Sequence, residues 1–213
     1  MTAGVTVVDY GIGNLKSVCR ALEFSGGAVT IARDAATIRT ANRLVLPGVG
    51  AFASCMQELR ERGLVDSILA FFQSERPFLG ICVGMQMMME SGEEFGTHDG
   101  LGLIDGPVRA IPPATNLSGR YKIPHVGWTA LRKPSEADWS DTILGRCEDG
   151  DPAYFVHSFS AVPTDPKARL ADADYHGNLI SAAVQNGNRY GCQFHPEKSG
   201  PVGLSILGRL LNL

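Results

Sequence analysis

Residues 77–86 read PFLGICVGMQ, and this stretch decides the fold. It begins as a short apolar strand, turns tightly at a cysteine with glycines on both sides, and continues into a helix start. A nucleophile on such a strand-to-helix turn has a strained backbone, and Gly80 and Gly84 let neighbouring segments approach it. A helix over residues 85–90 would direct its positive end at Cys82 and favour the reactive thiolate. A buried cysteine that only fills space is the alternative.

A histidine and a glutamate far downstream complete a candidate catalytic group within residues 193–198, QFHPEK. Pro196 restricts His195 to extended backbone, where residues two apart project to the same side. Glu197 can therefore hold the imidazole of His195, and an imidazole held in this way can activate a nucleophile. Alone, His195 is equally typical of a structural histidine and Glu197 of a surface charge. With Cys82, they predict a catalytic triad.

The composition is that of an ordinary globular protein, with 213 residues, 44% hydrophobic residues, 19% charged residues and a net charge of −3. We expect one domain over residues 1–213. The small negative charge argues against nucleic acid as a partner, and no apolar run is long enough to span a membrane. Five widely spaced cysteines without an export signal predict reduced thiols in a cytoplasmic protein. No histidines or cysteines have metal-ligand spacing, so no metal site is expected.

The order of strands and helices predicts an α/β fold. Strands alternate with helices in the first half, which favours a flavodoxin-like, doubly wound, mostly parallel sheet. The carboxyl ends of its strands would carry Gly11, Gly50 and Cys82. Strands dominate the second half, and the Asn-Gly pair at Gly187 predicts a hairpin that extends the sheet in antiparallel fashion. Residues 133–152 are polar and rich in turns, which indicates a peripheral loop with a short helix.

Five further segments have a family pattern: 9–15 DYGIGNL, 47–52 PGVGAF, 124–128 PHVGW, 154–158 YFVHS and 194–199 FHPEKS. Together with the cysteine stretch, they resemble the class I (triad) glutamine amidotransferases. Within that family, they resemble the glutamine amidotransferase subunits of imidazole glycerol phosphate synthase. The resemblance spans the chain nearly end to end. Two departures are Val83, where leucine is usual, and Thr129, where asparagine is common.

The resemblance implies hydrolysis of glutamine through a thioester on Cys82, without a cofactor. His195 would protonate the leaving nitrogen and later activate water, and Glu197 would fix its tautomer. The developing oxyanion needs N–H donors, which we expect from Val83 and from the loop of residues 47–50. Candidate donors in that loop are Val49 and Gly50. The resemblance assigns glutamine binding to Gln86, Glu94, His157, Ser158 and Phe159.

The resemblance also implies a partner, because ammonia released from glutamine must reach a second active site. That partner would be a cyclase subunit with a (β/α)₈-barrel fold, joined in a heterodimer that serves histidine biosynthesis. We further predict that the 47–50 loop turns its N–H toward the oxyanion only when the partner is loaded. Residues that resemble the partner interface are Asn14, His125, Trp128, Tyr154 and Lys198. Each of these is also a type that occurs in cores or at rims.

Three other functions stay open on the sequence. The first is the role of another triad amidotransferase, for anthranilate, a nucleotide or pyridoxal phosphate, although the PHVGW and YFVHS segments argue against this. A stand-alone γ-glutamyl hydrolase would share the triad and need no partner. A non-catalytic regulatory domain would retain the fold, but the intact set of Cys82, His195 and Glu197 argues against it.

Overall fold

The computed structural model describes residues 2–113 and 121–213. Its helices are α1 (Leu15–Phe24), α2 (Ala35–Thr40), α3 (Phe52–Glu61), α4 (Val65–Gln73), α5 (Val83–Met87) and α6 (Gly200–Leu210). Its strands are β1 (Ala3–Val8), β2 (Gly27–Ala32), β3 (Leu44–Gly48), β4 (Phe78–Cys82), β5 (Met89–Gly92), β6 (His98–Asp99), β7 (Ile104–Ala110), β8 (His125–Ala130), β9 (Pro152–His157), β10 (Phe159–Ala161), β11 (Arg169–Tyr175), β12 (Asn178–Asn186) and β13 (Arg189–Cys192). Short 3₁₀ helices lie at Pro166–Ala168 and Pro196–Lys198.

The central sheet has seven strands in the order β11-β12-β13-β4-β3-β1-β2. Five neighbouring strands, β2, β1, β3, β4 and β13, run parallel to one another. Strands β12 and β11 are antiparallel to their neighbours. This is the flavodoxin-like order, with β13 as its fifth parallel strand. Every residue of β3 and β4 is buried, as expected for central strands of a parallel sheet. The predicted α/β fold with an antiparallel extension is therefore confirmed.

The antiparallel part of the fold grows from the predicted hairpin. Strands β12 and β13 pair on either side of Gly187, whose φ of 62° suits the turn. The chain also forms a four-stranded sheet, β10-β7-β5-β6, and a two-stranded sheet of β8 and β9. The β8–β9 pair matters for the site, because its strands lead to the residues beside the nucleophile.

The helix predicted over residues 85–90 is wrong in its extent, because α5 ends at Met87 and the chain continues as β5. The main-chain carbonyl groups that would continue the helix are used elsewhere. Met87 O accepts from Leu101 N at 2.8 Å, and Met88 O accepts from Leu103 N at 2.8 Å. Bonds to a later segment therefore replace the next helical turn, and the helix dipole acting on the elbow is that of five residues.

The segment 133–152 also differs from its prediction. It consists of turns, with no helix among its residues, and it is anchored to the core. Trp139, Ile143 and Leu144 are buried, and the Trp139 indole N–H donates to Leu170 O at 2.7 Å. These apolar side chains fix the segment against the body of the protein.

Two further features concern the described residues as a whole. None of the helices they form has both the length and the hydrophobicity needed to cross a membrane. All five cysteines lie in the described part of the chain and are free there.

Candidate active site

The nucleophile elbow lies where β4 meets α5. Cys82 has φ 53° and ψ −110°, a region that non-glycine residues rarely occupy outside functional sites. The glycines around it allow close backbone packing. A Cβ on Gly84 would lie 1.9 Å from Leu46 O, and one on Gly80 would lie 2.7 Å from Gly84 O. The tight turn presents Cys82 at the carboxyl end of the parallel sheet.

His195 and Glu197 form a buried pair next to the elbow. The His195 Nδ1 and Glu197 Oε1 atoms are 2.9 Å apart, and the two side chains are only 3% and 1% exposed. His195 is extended, with φ −98° and ψ 98°, as the following Pro196 predicts. Its other ring nitrogen, Nε2, makes no hydrogen bond to any described residue. That nitrogen is thus free to exchange a proton with a substrate.

The electrostatics of the pair favour a cationic imidazole. Burial lowers the pKa of His195, but the neighbouring Cys82 and Glu197 side chains outweigh burial and raise that pKa to about 9. A protonated His195 suits the donation of a proton to a leaving nitrogen.

A cavity of about 280 Å³ opens over these residues. Its walls include Cys82 and His195, while Glu197 lies behind His195. All eight residues predicted for the oxyanion hole and for glutamine binding also line it: Val49, Gly50, Val83, Gln86, Glu94, His157, Ser158 and Phe159. Cavities of about 380 and 390 Å³ near Lys167 contain none of these residues. The structure therefore brings the predicted chemical groups together in the smaller cavity.

The loop of residues 47–50 starts beside the nucleophile, because Gly48 is the direct parallel partner of Cys82. A Cβ on Gly48 would lie 2.7 Å from Gly84 N, so only glycine fits there. Gly50 has φ 90° and open space around its Cα. On the other side of the elbow, Val83 begins α5, and the first N–H groups of a helix have no partner within it.

Two side chains fix the carbonyl groups of this loop. The Tyr10 hydroxyl donates to Pro47 O at 2.9 Å, and the Cys55 thiol donates to Val49 O at 3.4 Å. Both side chains are buried, and burial raises the pKa of each above its ordinary value, so each keeps its proton for this bond. The loop is thus held in one orientation in this state of the chain.

Gln86 and Glu94 both have structural partners as well as a place in the cavity wall. Gln86 is 4% exposed, so it is not a solvated surface residue, and its amide donates to Phe159 O and Gln193 Oε1 at 3.0 Å each. Glu94 Oε2 accepts from Phe52 N at 2.8 Å and so caps the start of α3. The cap ties Glu94 to the helix that follows the 47–50 loop.

Two residues next to the triad escaped the sequence reasoning, Gln193 and Ser199. The Gln193 amide nitrogen lies 3.8 Å from Cys82 Sγ, within range of a hydrogen bond to sulfur. Ser199 Oγ donates to His195 O at 2.7 Å and accepts from Tyr154 N at 2.9 Å. Both are buried polar residues, and a buried polar side chain needs a partner. Their polarity beside the triad in sequence was the only available signal.

The comparisons with known proteins agree with this geometry. Residues 6–209 match the family described as "Glutamine amidotransferase class-I". An imidazole glycerol phosphate synthase subunit HisH 1 of Legionella pneumophila (strain Lens) is 49% identical over 212 residues, covering 99% of this chain and 100% of that protein. The HisH subunit of Rhodopirellula baltica is 46% identical over 206 residues, covering 96% and 95% of the two chains.

This chain is a class-I glutamine amidotransferase of the HisH family. Among solved structures, PurLQS from Thermotoga maritima matches 100% of this chain and 99% of its own, with a TM-score of 0.73 and 22% identity. At that identity the match supports the fold of the family and nothing finer.

The residues predicted at the partner interface of this chain divide into a group at the surface and one buried residue, His125. Trp128 is 56% exposed and meets the Tyr154 ring edge-on at 5.9 Å, and the Lys198 ammonium lies 5.9 Å from the centre of the same ring. Asn14 lies immediately before α1, which packs against the 3₁₀ helix that carries Lys198. His125 is only 1% exposed, so the prediction that it contacts a partner directly does not fit this structure.

Proposed function

We propose that this chain hydrolyses glutamine to glutamate and supplies the ammonia to the cyclase subunit of an imidazole glycerol phosphate synthase. The observation that carries the proposal is the strained Cys82 elbow in one cavity with the His195–Glu197 pair. The 49% identity to a full-length HisH subunit supports the choice of synthase. A cavity of about 280 Å³, at the small end of the range for ligand pockets, suits one amino acid.

The chemistry proceeds in two halves on three side chains. The Cys82 thiolate attacks the side-chain amide carbon of glutamine, the C–N bond breaks, and His195 supplies the proton with which ammonia leaves. Neutral His195 then takes a proton from water, which attacks the thioester and releases glutamate and the Cys82 thiolate. Glu197 holds His195 Nδ1 throughout, so that Nε2 carries out both proton transfers.

We propose that the oxyanion hole combines the Val83 N–H with an N–H from Val49 or Gly50. The Cys55 bond to Val49 O fixes the orientation of the peptide that joins these two loop residues. The open space and positive φ at Gly50 leave that peptide room to turn when a partner is loaded. Losing one such donor lowers the rate roughly 10²–10³-fold.

The Gly50→Pro and Gly50→Ala variants form a matched test of the loop. Proline removes the N–H and cannot adopt the φ of 90°, whereas alanine keeps the N–H and has open space for its Cβ but is strained at this φ. We expect partner-stimulated glutaminase activity to be lost in Gly50→Pro and reduced to a smaller extent in Gly50→Ala. Equal stimulation of the proline variant and the native chain would exclude the gated loop.

The partner is proposed to be a (β/α)₈-barrel cyclase that forms a heterodimer with this chain. Free ammonia in water is mostly protonated and no longer nucleophilic, so it needs a protected path between the two sites. Trp128, Tyr154 and Lys198 offer an exposed aromatic group with a cation beside it, which suits an interface anchor. We term the surface formed by Trp128, Tyr154 and Lys198 the aromatic face. Asn14 would extend it.

Calorimetric titration with the cyclase tests the aromatic face. Trp128→Ala is expected to weaken binding by about thirtyfold, the effect of a typical hot spot of about 2 kcal/mol. Leu179→Ala is the control, since Leu179 is a similarly exposed apolar residue on β12, at 61%. If both variants bind as tightly as the native chain, another surface must hold the partner.

We also propose that residues 1–213 act as one domain in the cytoplasm. Residues from both ends of the chain support this, because Val5 of β1 and Leu210 of α6 belong to the same hydrophobic core. A stand-alone γ-glutamyl hydrolase is the second candidate, and its independence of a partner separates it from the synthase subunit.

A further inference from the structure

Three side chains form a row of hydrogen bonds from β8 to the cavity wall. Thr129 Oγ1 lies 2.8 Å from His125 Nε2, and His125 Nδ1 lies 3.0 Å from His157 Nε2. His157 Nδ1 lies 2.8 Å from Phe159 O. We refer to Thr129, His125 and His157 as the histidine relay.

The acceptor at the inner end fixes every proton in the relay. Phe159 O can only accept, so His157 Nδ1 carries a proton and donates it. A neutral His157 then has a lone pair on Nε2, which must accept from a proton on His125 Nδ1. His125 Nε2 is left as an acceptor for the Thr129 hydroxyl. Each group therefore has one role in a single direction of donation.

The surroundings keep both imidazoles neutral and in place. Burial lowers the pKa of His125 and of His157 to about 4 each. The ring of His125 stacks between Phe155, with centroids 4.8 Å apart, and Tyr175, with centroids 4.0 Å apart. The two histidines are also direct cross-strand partners on β8 and β9. The relay is thus a packed part of the fold.

A pair of glutamines continues the row from Phe159 to the nucleophile. The Gln86 amide nitrogen has two protons, and it donates to Phe159 O and to Gln193 Oε1 at 3.0 Å each. Because Gln193 Oε1 accepts from Gln86, the Gln193 amide nitrogen must face the other way. It faces Cys82 Sγ at 3.8 Å, where a donor stabilises a thiolate.

The outer end of the relay lies directly behind the aromatic face. Trp128 and Thr129 are neighbours on a strand, so their side chains project to opposite sides of β8. Trp128 is exposed, while the Thr129 hydroxyl turns inward to His125. The Thr129 hydroxyl therefore connects the inner side of β8 to the relay, while Trp128 on the outer side belongs to the aromatic face.

We propose that the histidine relay is a positioning device: it holds Phe159 O in place as the acceptor for Gln86, and through Gln86 it positions the Gln193 amide that faces Cys82. Its members do not touch the reacting atoms. The inference rests on the proposed function only in the experiment that measures kcat for glutamine. Changes along such networks typically alter the coupling between two sites by amounts that correspond to about two- to thirtyfold.

The tautomers of the two histidines give a test that does not depend on activity. In the ¹⁵N-labelled full chain, long-range ¹H–¹⁵N spectra at pH 7 should show His125 and His157 as neutral rings with the proton on Nδ1. Most neutral histidines carry it on Nε2, so the signature is distinctive. His125→Gln and His157→Gln would assign the signals. A proton on Nε2 of either ring would overturn the relay.

The hydroxyl of Thr129 is tested by two variants of similar size. Thr129→Val removes the donor and Thr129→Ser keeps it. We expect alkylation of Cys82 by iodoacetamide at pH 7, and kcat for glutamine, to fall about three- to tenfold in Thr129→Val. Thr129→Ser should stay within twofold of the native chain. Equal rates for the valine and serine variants would contradict the proposal.

A double-mutant cycle decides whether both ends act through one chain of contacts. Gln193→Met removes the donor to Cys82, and Thr129→Val should then have no further effect on alkylation. If the two changes lower the alkylation rate independently, so that their effects multiply, the relay is overturned. If Gln193→Met does not fold, the histidine tautomers and the Thr129 variants still test the proposal. If Thr129→Val slows alkylation of Cys82 but the native chain releases no glutamate from glutamine, the result would instead contradict the proposed function alone.

Discussion

Acidification should destabilise this protein through the buried His157. Desolvation by burial, with smaller repulsion from His125 and His195, lowers the pKa of His157 to about 4 in the folded chain. An unfolded histidine has a pKa of about 6.5. Between these values the unfolded chain binds a proton that the folded chain does not, so the free energy of unfolding falls as the pH falls. Below about pH 4 both states are protonated and the loss is complete.

The two pKa values set the size of the effect. Each pH unit well inside the window removes about 1.4 kcal/mol of stability. For His157 this amounts to about 2 kcal/mol by pH 5 and about 3 kcal/mol by pH 4. Solvent screening reduces these figures little, since the residue is only 6% exposed. A domain of this kind is stable by about 5–15 kcal/mol, so the loss is large enough to measure.

Urea unfolding at pH 7 and pH 5 measures the effect when the native chain is compared with His157→Gln. Glutamine does not titrate, so the native chain should lose about 2 kcal/mol more than the variant between the two conditions. If the native chain and His157→Gln lose equal stability, the reasoning about a neutral buried His157 is refuted.

Two further predictions concern the triad and the elbow. Glu197→Gln removes the charge that holds His195 Nδ1, so kcat for glutamine should fall by up to about 10⁴-fold with little change in KM; a loss below tenfold in steady-state kinetics would contradict that role. Gly84→Ala places a methyl group 1.9 Å from Leu46 O and should destabilise the chain by about 1–3 kcal/mol or more in thermal unfolding. Gly208→Ala, in an open position on α6, should instead stabilise by about 0.5–1 kcal/mol, and equal effects of the two changes would refute the packing argument.

Local patterns predicted the parts of the fold that local physics determines. Buried apolar strands such as β3 and β4 need no distant information, and the turn at Gly187 follows from the preference of Asn-Gly for positive φ. The end of α5 could not be predicted, because the bonds from Leu101 and Leu103 that stop it come from a segment later in the chain. Trp139 likewise reads as part of a polar loop until Leu170 is placed beside its indole.

The candidate site follows the same division. The elbow at Cys82 and the segment with His195 and Glu197 each have a sequence context that specifies the local backbone, so each half of the triad could be predicted separately. Gln193 could not, because its partners Gln86 and Cys82 lie more than a hundred positions away and meet it only in the folded sheet. A buried donor facing sulfur is a property of the tertiary structure and leaves no periodic trace in the sequence.

Glutamate release from glutamine by the purified chain, alone and with the barrel cyclase and its nucleotide substrate, tests the central claim most directly. We expect almost no glutamate release from the chain alone and strong stimulation of release in the complex, with all activity lost in Cys82→Ala. Vigorous hydrolysis by the chain alone, unchanged by the cyclase, would contradict the proposal and identify a stand-alone γ-glutamyl hydrolase.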